Sequence, residues 1–92
     1  MALERGRIIG YDAERMTFHF TMIDKATTNT IDCMISSAAM DQLDGSKRTM
    51  PSEREAQFLR FRDKIERIAS DLVAKAQTKP VRLIRIFHHH LR

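Results

Sequence analysis

The chain is poor in the residues that most often carry chemistry or anchor a fold. It has 92 residues, with one cysteine, no tryptophan, one tyrosine, two prolines and three glycines. A lone cysteine offers no intrachain disulfide, so nothing in it demands an oxidising compartment. No apolar run approaches the roughly 20 residues of a membrane span. The opening "MALERGRIIG" carries charges at positions 4, 5 and 7 and has no stretch of signal-peptide length. The reading is a cytoplasmic protein with no membrane partner. No glycine-rich phosphate loop, no helix-turn-helix and no aromatic stacking platform is present, and no cofactor is read from the chain.

What is there is an ordinary globular composition, 42% hydrophobic and 30% charged. Ninety-two residues make one small domain, and a second protomer would help it to bury surface. The expectation is a single domain over 1–92, ordered over 5–87, with 88–92 as a flexible tail. The net charge is +4, and its placement is uneven. Residues 1–50 hold six Lys/Arg against seven Asp/Glu, and residues 51–78 hold six against five. The excess sits in Lys79, Arg82, Arg85 and Arg92. A basic surface spread over the whole domain is therefore not expected.

Periodicity gives the elements. "MTFHFTMI" (16–23) alternates, with Met16, Phe18, Phe20 and Met22 on one face and Thr17, His19 and Thr21 on the other. That is a half-buried strand. "YDAER" before it reads as a turn set by Asp12. It joins the strand to a shorter one at 5–10, where Gly6 and Gly10 weaken the pattern. "DKATTN" (24–29) reads as a loop. "TIDCMIS" (30–36) alternates again, with Ile31, Cys33 and Ile35 in phase. Ser36 or Ser37 can cap a short helix near 37–43, which Gly45 stops.

Ser52 and Glu55 have the spacing of a capping box. From Phe58 the apolar residues Phe58, Phe61, Ile65, Ile68, Ala69, Leu72, Val73 and Ala76 fall on one helical stripe. The spacing predicts one helix over about 52–77, near 39 Å at 1.5 Å per residue. Asp63 with Arg67 and Asp71 with Lys75 form acid-first i,i+4 pairs. Arg62 falls inside the stripe, with its stem against apolar neighbours. After Pro80, "VRLIRIF" reads as a last strand with apolar residues on both faces.

The order of "Y-D-A-E-R" before an aromatic strand, "I-D-C-M-I-S-S-A-A-M" at the strand-to-helix junction and the "F-R" helix resembles a known family. This is a set of small proteobacterial proteins known as domain of unknown function 1488, over roughly residues 10 to 86. The resemblance implies a compact α+β fold, an antiparallel sheet crossed by a long helix. It supplies no catalytic residues. The "HHHLR" tail lies outside it.

The fold expected is thus α+β. It has an antiparallel sheet of three or four strands, a long helix at about 52–77 across one face and a short helix near 37–43. Met16, Phe18, Phe20, Ile31, Cys33, Ile35, Phe61, Ile65, Ile68 and Leu72 are the expected core.

Each candidate for chemistry has a plainer reading beside it. Cys33 lies before a helix start, which favours a reactive thiol. It also shares phase with Ile31 and Ile35, which buries it, and a buried thiol is a small hydrophobe. His19 belongs to the opposite face of the sheet, so no Cys–His pair is expected. His88 and His90 are two ligands without a third, and no metal site is read from them. The carboxylates Asp12, Asp24, Asp32, Asp41 and Asp44 occupy turns, caps or exposed phases, and no catalytic residue is assigned.

Three functions remain open. The first is a non-catalytic interaction module, as a homo-oligomer or with an unknown protein partner, using surplus apolar surface at Ile84 and Ile86. The second is weak nucleic-acid binding, with phosphate contacts from Arg60, Lys64, Arg67, Arg82 and Arg85. The third is a small enzyme or thiol switch using Cys33.

Overall fold

A computed structural model of the chain describes residues 3–45, 49–76 and 82–87. The elements are β1 (Leu3–Asp12), β2 (Thr17–Asp24), β3 (Thr30–Ser36), α1 (Ser37–Asp44), a 3-10 turn (Pro51–Glu53), α2 (Arg54–Arg60), α3 (Arg62–Lys75) and β4 (Leu83–Ile86). The strands form one sheet in the order β1-β2-β3-β4.

The three N-terminal strands form a meander, because each connection is a short turn. Asp12 organises the first turn, its Oδ1 accepting from the backbone N–H of Glu14 (3.1 Å) and Arg15 (3.3 Å). Asp24 does the same for the second, accepting from Ala26 N–H at 2.9 Å. Met16 closes the first turn in the left-handed region at φ 53°. This takes it out of the alternation expected to place it in the core, and it is 59% exposed. Its carbonyl accepts instead from the N–H and Oγ of Ser37, at 2.8 and 2.9 Å.

β1 is longer than expected and carries two register shifts against β2, between Arg5 and Ile8 and between Ile8 and Gly10. Each inserts one extra residue, a β-bulge. Gly6 sits tight against Thr21 of β2. A Cβ there would lie 2.7 Å from the carbonyl carbon of Thr21, so no side chain fits.

The sheet is not wholly antiparallel. β4 pairs with β3 in parallel, with Cys33 opposite Ile84 and Ile35 opposite Ile86. The chain between β3 and β4 passes through three helices, and a crossover of that length returns it in the same direction. Alternation in "VRLIRIF" carries no information about direction.

The expected single helix is two. The capping box lies earlier than Ser52, since the carboxylate of Glu53 accepts from Met50 N–H at 3.0 Å, with Pro51 opening the turn. The rod then breaks at Phe61, which has φ −114° and ψ 14°. Phe61 N–H bonds three residues back to the Phe58 carbonyl (3.1 Å), and the Phe61 carbonyl starts α3 by accepting from Ile65 N–H (2.9 Å). A 39 Å rod would overhang a four-strand sheet roughly 14 Å across. Two shorter helices share the cover instead. The expected helix end at 77, together with Pro80, Val81 and the tail 88–92, lies outside the described residues.

α1 follows expectation. Ser36 Oγ accepts from Ala39 N–H at 3.1 Å, and Gly45 closes the helix at φ 73°, a left-handed cap that glycine reaches without steric strain. The described helices all lie on one face of the sheet. The core beneath it contains Phe18, Phe20, Met22, Ile31, Cys33 and Ile35 from β2 and β3, with Ile84 and Ile86 from β4. Ala39, Met40, Phe58, Ile65, Ala69 and Val73 complete it from the helices. Phe58 stacks on Phe18, with centroids 4.6 Å apart, and leans on Phe20 at 4.9 Å. Phe61, Ile68 and Leu72 pack only partly buried at its margin.

Candidate functional site

Among the described residues no helix lies over the opposite face of the sheet. Its residues follow from the pleat, because those that alternate with the core residues must point the other way. One row across the sheet is Thr21, Asp32, Leu83, and the next is His19, Met34, Arg85. Ile9, Leu83 and Phe87 are 58%, 43% and 40% exposed. The face has two half-open hollows that share Met34. One, about 180 Å³, is lined by Arg15, Thr17, Met34, Ser36, Arg85 and Phe87 among others. The other, about 540 Å³, is lined by Ile9, His19, Asp32, Met34, Arg82 and Leu83 among others. Thr17 Oγ1 and His19 Nε2 are hydrogen-bonded at 2.8 Å. Among the described residues neither Asp32 nor Arg85 forms an ion pair.

Ile84 and Ile86, the pair read as surplus apolar surface, lie on the other side. They are 7% and 1% exposed and belong to the core. Apolar residues occupy both phases of this strand, and the phase carrying the two isoleucines faces the helices. Leu83, with Phe87 just past the strand, is the apolar surface that β4 leaves to solvent.

The five cations considered for phosphate contact do not converge. Arg60 bonds to Asp44 at 2.7 Å. Lys64 and Arg67 are exposed on α3, on the helical side of the sheet. Arg82 and Arg85 are exposed on the β4 segment, and Arg85 lies on the bare face. The helix surface also pairs its charges differently from the expected i,i+4 ladder. Arg5 of β1 reaches α3 and bonds Asp63 at 2.7 Å and Glu66 at 2.8 Å. Arg62 bonds Glu66 at 3.0 Å and lies over the Phe58 ring.

Cys33 is 1% exposed, its Sγ–H directed at the Ile31 carbonyl 3.7 Å away. Burial, followed by the negative charges of Asp32 and Glu66, pushes its thiol up to about 12. Cys33 pairs across the ladder with Phe20, and His19 with Met34. The imidazole and the sulfur therefore lie on opposite sides of the sheet. Among the described residues no group of three or more His, Cys, Asp and Glu is placed to hold a metal ion. Nor is any helix among them long and apolar enough to cross a membrane.

One polar cluster was missed in the sequence. Arg54 is 5% exposed and Gln57 1%. Arg54 Nη1 donates to Asp41 Oδ1 and to Gln57 Oε1, both at 2.7 Å. Gln57 Nε2 donates to Asp41 (3.0 Å) and Asp44 (3.2 Å), and Thr49 Oγ1 donates to Asp41 (2.9 Å). The Arg54 guanidinium also lies 5.6 Å from the Tyr11 ring centre, and Tyr11 OH is bonded to Ser37 Oγ at 2.8 Å. Burial pushes the Asp41 carboxyl up, but hydrogen bonds from Arg54, Gln57 and Thr49 and the Arg54 charge outweigh it and hold it below the usual range. The signal was available, because Arg54 stands four residues before Phe58, in line with the apolar stripe. This cluster ties α1 to α2 and lies on the helical side.

The family described as "Protein of unknown function (DUF1488)" matches residues 5–84 of the chain. The chain belongs to this family. The crystal structure of a DUF1488-family protein of unknown function from Shewanella loihica PV-4, at 1.60 Å, superposes with a TM-score of 0.76. The match covers 92% of this chain and 91% of that one at 21% identity, which establishes a shared DUF1488 fold. No curated protein is significantly similar in sequence.

Proposed function

We propose that this DUF1488 chain is a non-catalytic interaction module that associates with a second copy of itself through the bare face of its sheet. The observation that carries the reading is the exposure of Ile9 and Leu83 at one hollow and of Phe87 at the other, on a face without helical cover among the described residues. Antiparallel-rich sheets commonly leave one face to water, but that face then reads polar. Here Met34 and Leu83 lie among Thr21, His19, Asp32 and Arg85 in the two central rows, and Arg15 and Arg82 line the hollows beside them. A surface bearing both signs around apolar residues suits its own copy, whereas a surface of one sign repels it.

The nucleic-acid reading finds less support, since its five cations divide between two sides of the sheet and Arg60 is already bonded to Asp44. The thiol reading requires Cys33 to be reachable, and it is sealed in the core.

Sedimentation equilibrium from tens to hundreds of micromolar tests the proposal. The expected result is a concentration-dependent dimer that Leu83→Ser weakens and Lys64→Ser leaves unchanged. A strict monomer throughout this range refutes it.

A further inference from the structure

Resting on the self-association reading, we infer that the two copies meet about a two-fold axis running along the Met34–Leu83 diagonal, so that Asp32 of each faces Arg85 of the other. The inference comes from the register. Asp32 lies opposite Leu83, and Met34 opposite Arg85. These four alternate with the core residues, so they share the bare face. Strands are about 4.8 Å apart and same-face residues about 6.8 Å apart along a strand. The four therefore mark the corners of a small rectangle, with Met34 and Leu83 on one diagonal and Asp32 and Arg85 on the other.

A two-fold contact is isologous: a residue on the axis meets its own copy, and residues flanking the axis exchange partners. An axis lying in the face along the apolar diagonal puts Met34 against Met34 and Leu83 against Leu83. The same rotation carries Asp32 to within about 3 Å of the position facing the other copy's Arg85, by the strand spacings above. It also carries Ile9 of β1 toward Phe87 beyond the end of β4. The other diagonal would put Asp32 on Asp32 and Arg85 on Arg85, which like charges forbid. The chosen axis crosses the strands of the two sheets steeply, in the orthogonal class of sheet packing. Asp32 and Arg85 have no ion pair within the described residues of their own chain, so both are available to the other copy.

Charge inversion at the two sites tests this. Asp32→Arg places arginine at both positions 32 and 85, and Arg85→Asp places aspartate at both. Each variant alone then opposes like charges, and its self-association should weaken by more than about tenfold. Mixed in equal amounts, the two should form a heterodimer, because every opposed pair is again acid and base. Native mass spectrometry resolves the mixed species. Both residues are exposed, and circular dichroism confirms folding before the mixing.

An independent measurement uses Leu83→Cys. A residue on the axis faces its own copy across a sheet separation of about 10 Å, so a short bis-maleimide should join the two copies there, whereas Lys64→Cys on α3 should not be joined. A wild-type dimer left intact by either inversion, or an equimolar mixture that stays monomeric, overturns the axis while leaving self-association standing. A wild-type chain that never dimerises removes both.

Discussion

Replacing Asp41 by asparagine removes one charge and almost no volume, and among its buried partners only Arg54 is charged. Arg54 has a side chain only 6% exposed, and its Nη1 is 2.7 Å from Asp41 Oδ1. In Asp41→Asn the amide oxygen can keep the bonds from Gln57 and Thr49. The amide NH2 then confronts Arg54 Nη2 where Asp41 Oδ2 accepted at 3.4 Å, donor against donor. Arg54 also has a buried Nε without a hydrogen-bond partner among the described residues, so it has little reserve when its counterion goes. Removing one partner of a buried ion pair costs about 3–5 kcal/mol. Asp41 is 20% exposed, so water softens the loss, and about 3 kcal/mol is expected. A chain of 92 residues has a total stability of roughly 5–14 kcal/mol. The expected shift in Tm is then roughly 12–24 °C.

Urea unfolding at pH 7, followed by circular dichroism, measures the difference, and two comparisons identify its cause. Asp41→Asn combined with Arg54→Met contains no stranded charge and should be more stable than Asp41→Asn alone. The second comparison is pH. The folded Asp41 carboxyl is held below its ordinary value, so its contribution is complete above the unfolded carboxyl value of about 4 and is lost as pH falls through the folded one. Wild type and Asp41→Asn should therefore differ fully at pH 7 and converge below about pH 4. A loss under about 1 kcal/mol at pH 7, a double variant weaker than the single, or a pH-independent gap would each refute this account of Arg54.

Phe58→Ala removes a ring that is fully buried between Phe18 and Phe20 and should cost about 3–5 kcal/mol by chemical denaturation; a loss below 1 kcal/mol would mean that the aromatic stack is not the center of the core. With its thiol near 12 and sealed, Cys33 should resist a thiol reagent at pH 7 until urea unfolds the chain; rapid labelling in buffer would place the sulfur in an open site. Gly6→Ala forces a methyl into the Thr21 backbone and should cost roughly 1–3 kcal/mol; an unchanged urea midpoint would show that β1 can shift freely against β2.

How far the sequence disclosed this fold depends on what each element needed to be recognised. β2 and β3 are alternating strands with a single apolar phase, so their inward faces were legible, and with them the burial of Cys33 and its separation from His19. Ser36 and Gly45 are capping residues at both ends of α1, and both are used as caps. β4 has two apolar phases, so neither its inward face nor its parallel direction was encoded locally. Phe61 offers no proline or glycine to mark the helix break, and the stripe Phe58, Phe61, Ile65 reads equally well through a continuous rod. Arg54 was hidden by its type, since an arginine in line with apolar residues reads as a snorkelling side chain until its partner on α1 is seen. The bare face was legible only strand by strand, as the phase that sets His19 and Thr21 opposite the core. Its members come from three separate strands and a bulge, and only the register assembles them.

The two sheet edges bear on the proposed mode of association. An unpaired edge strand is the commonest invitation to a second chain. β1 occupies one edge, but its two bulges interrupt the flat ladder that another strand would need. Arg5 on this strand is already engaged by Asp63 and Glu66 of α3, and Glu4 and Arg7 add exposed charge. β4 occupies the other edge with only four residues, enough for very few ladder bonds. Helices cover the inner face, and neither edge is built to extend the sheet. The apolar surface around Met34 and Leu83 is what remains, and it has a shape that the crossover itself produces. A parallel β4 sets Arg85 beside Met34 and Leu83 beside Asp32. An antiparallel β4, as the expected antiparallel sheet would have it, would reverse that order beside β3, placing Arg85 beside Asp32 and closing the ion pair within one chain. The direction of the last strand thus decides whether these two charges are spent internally or are left for another copy.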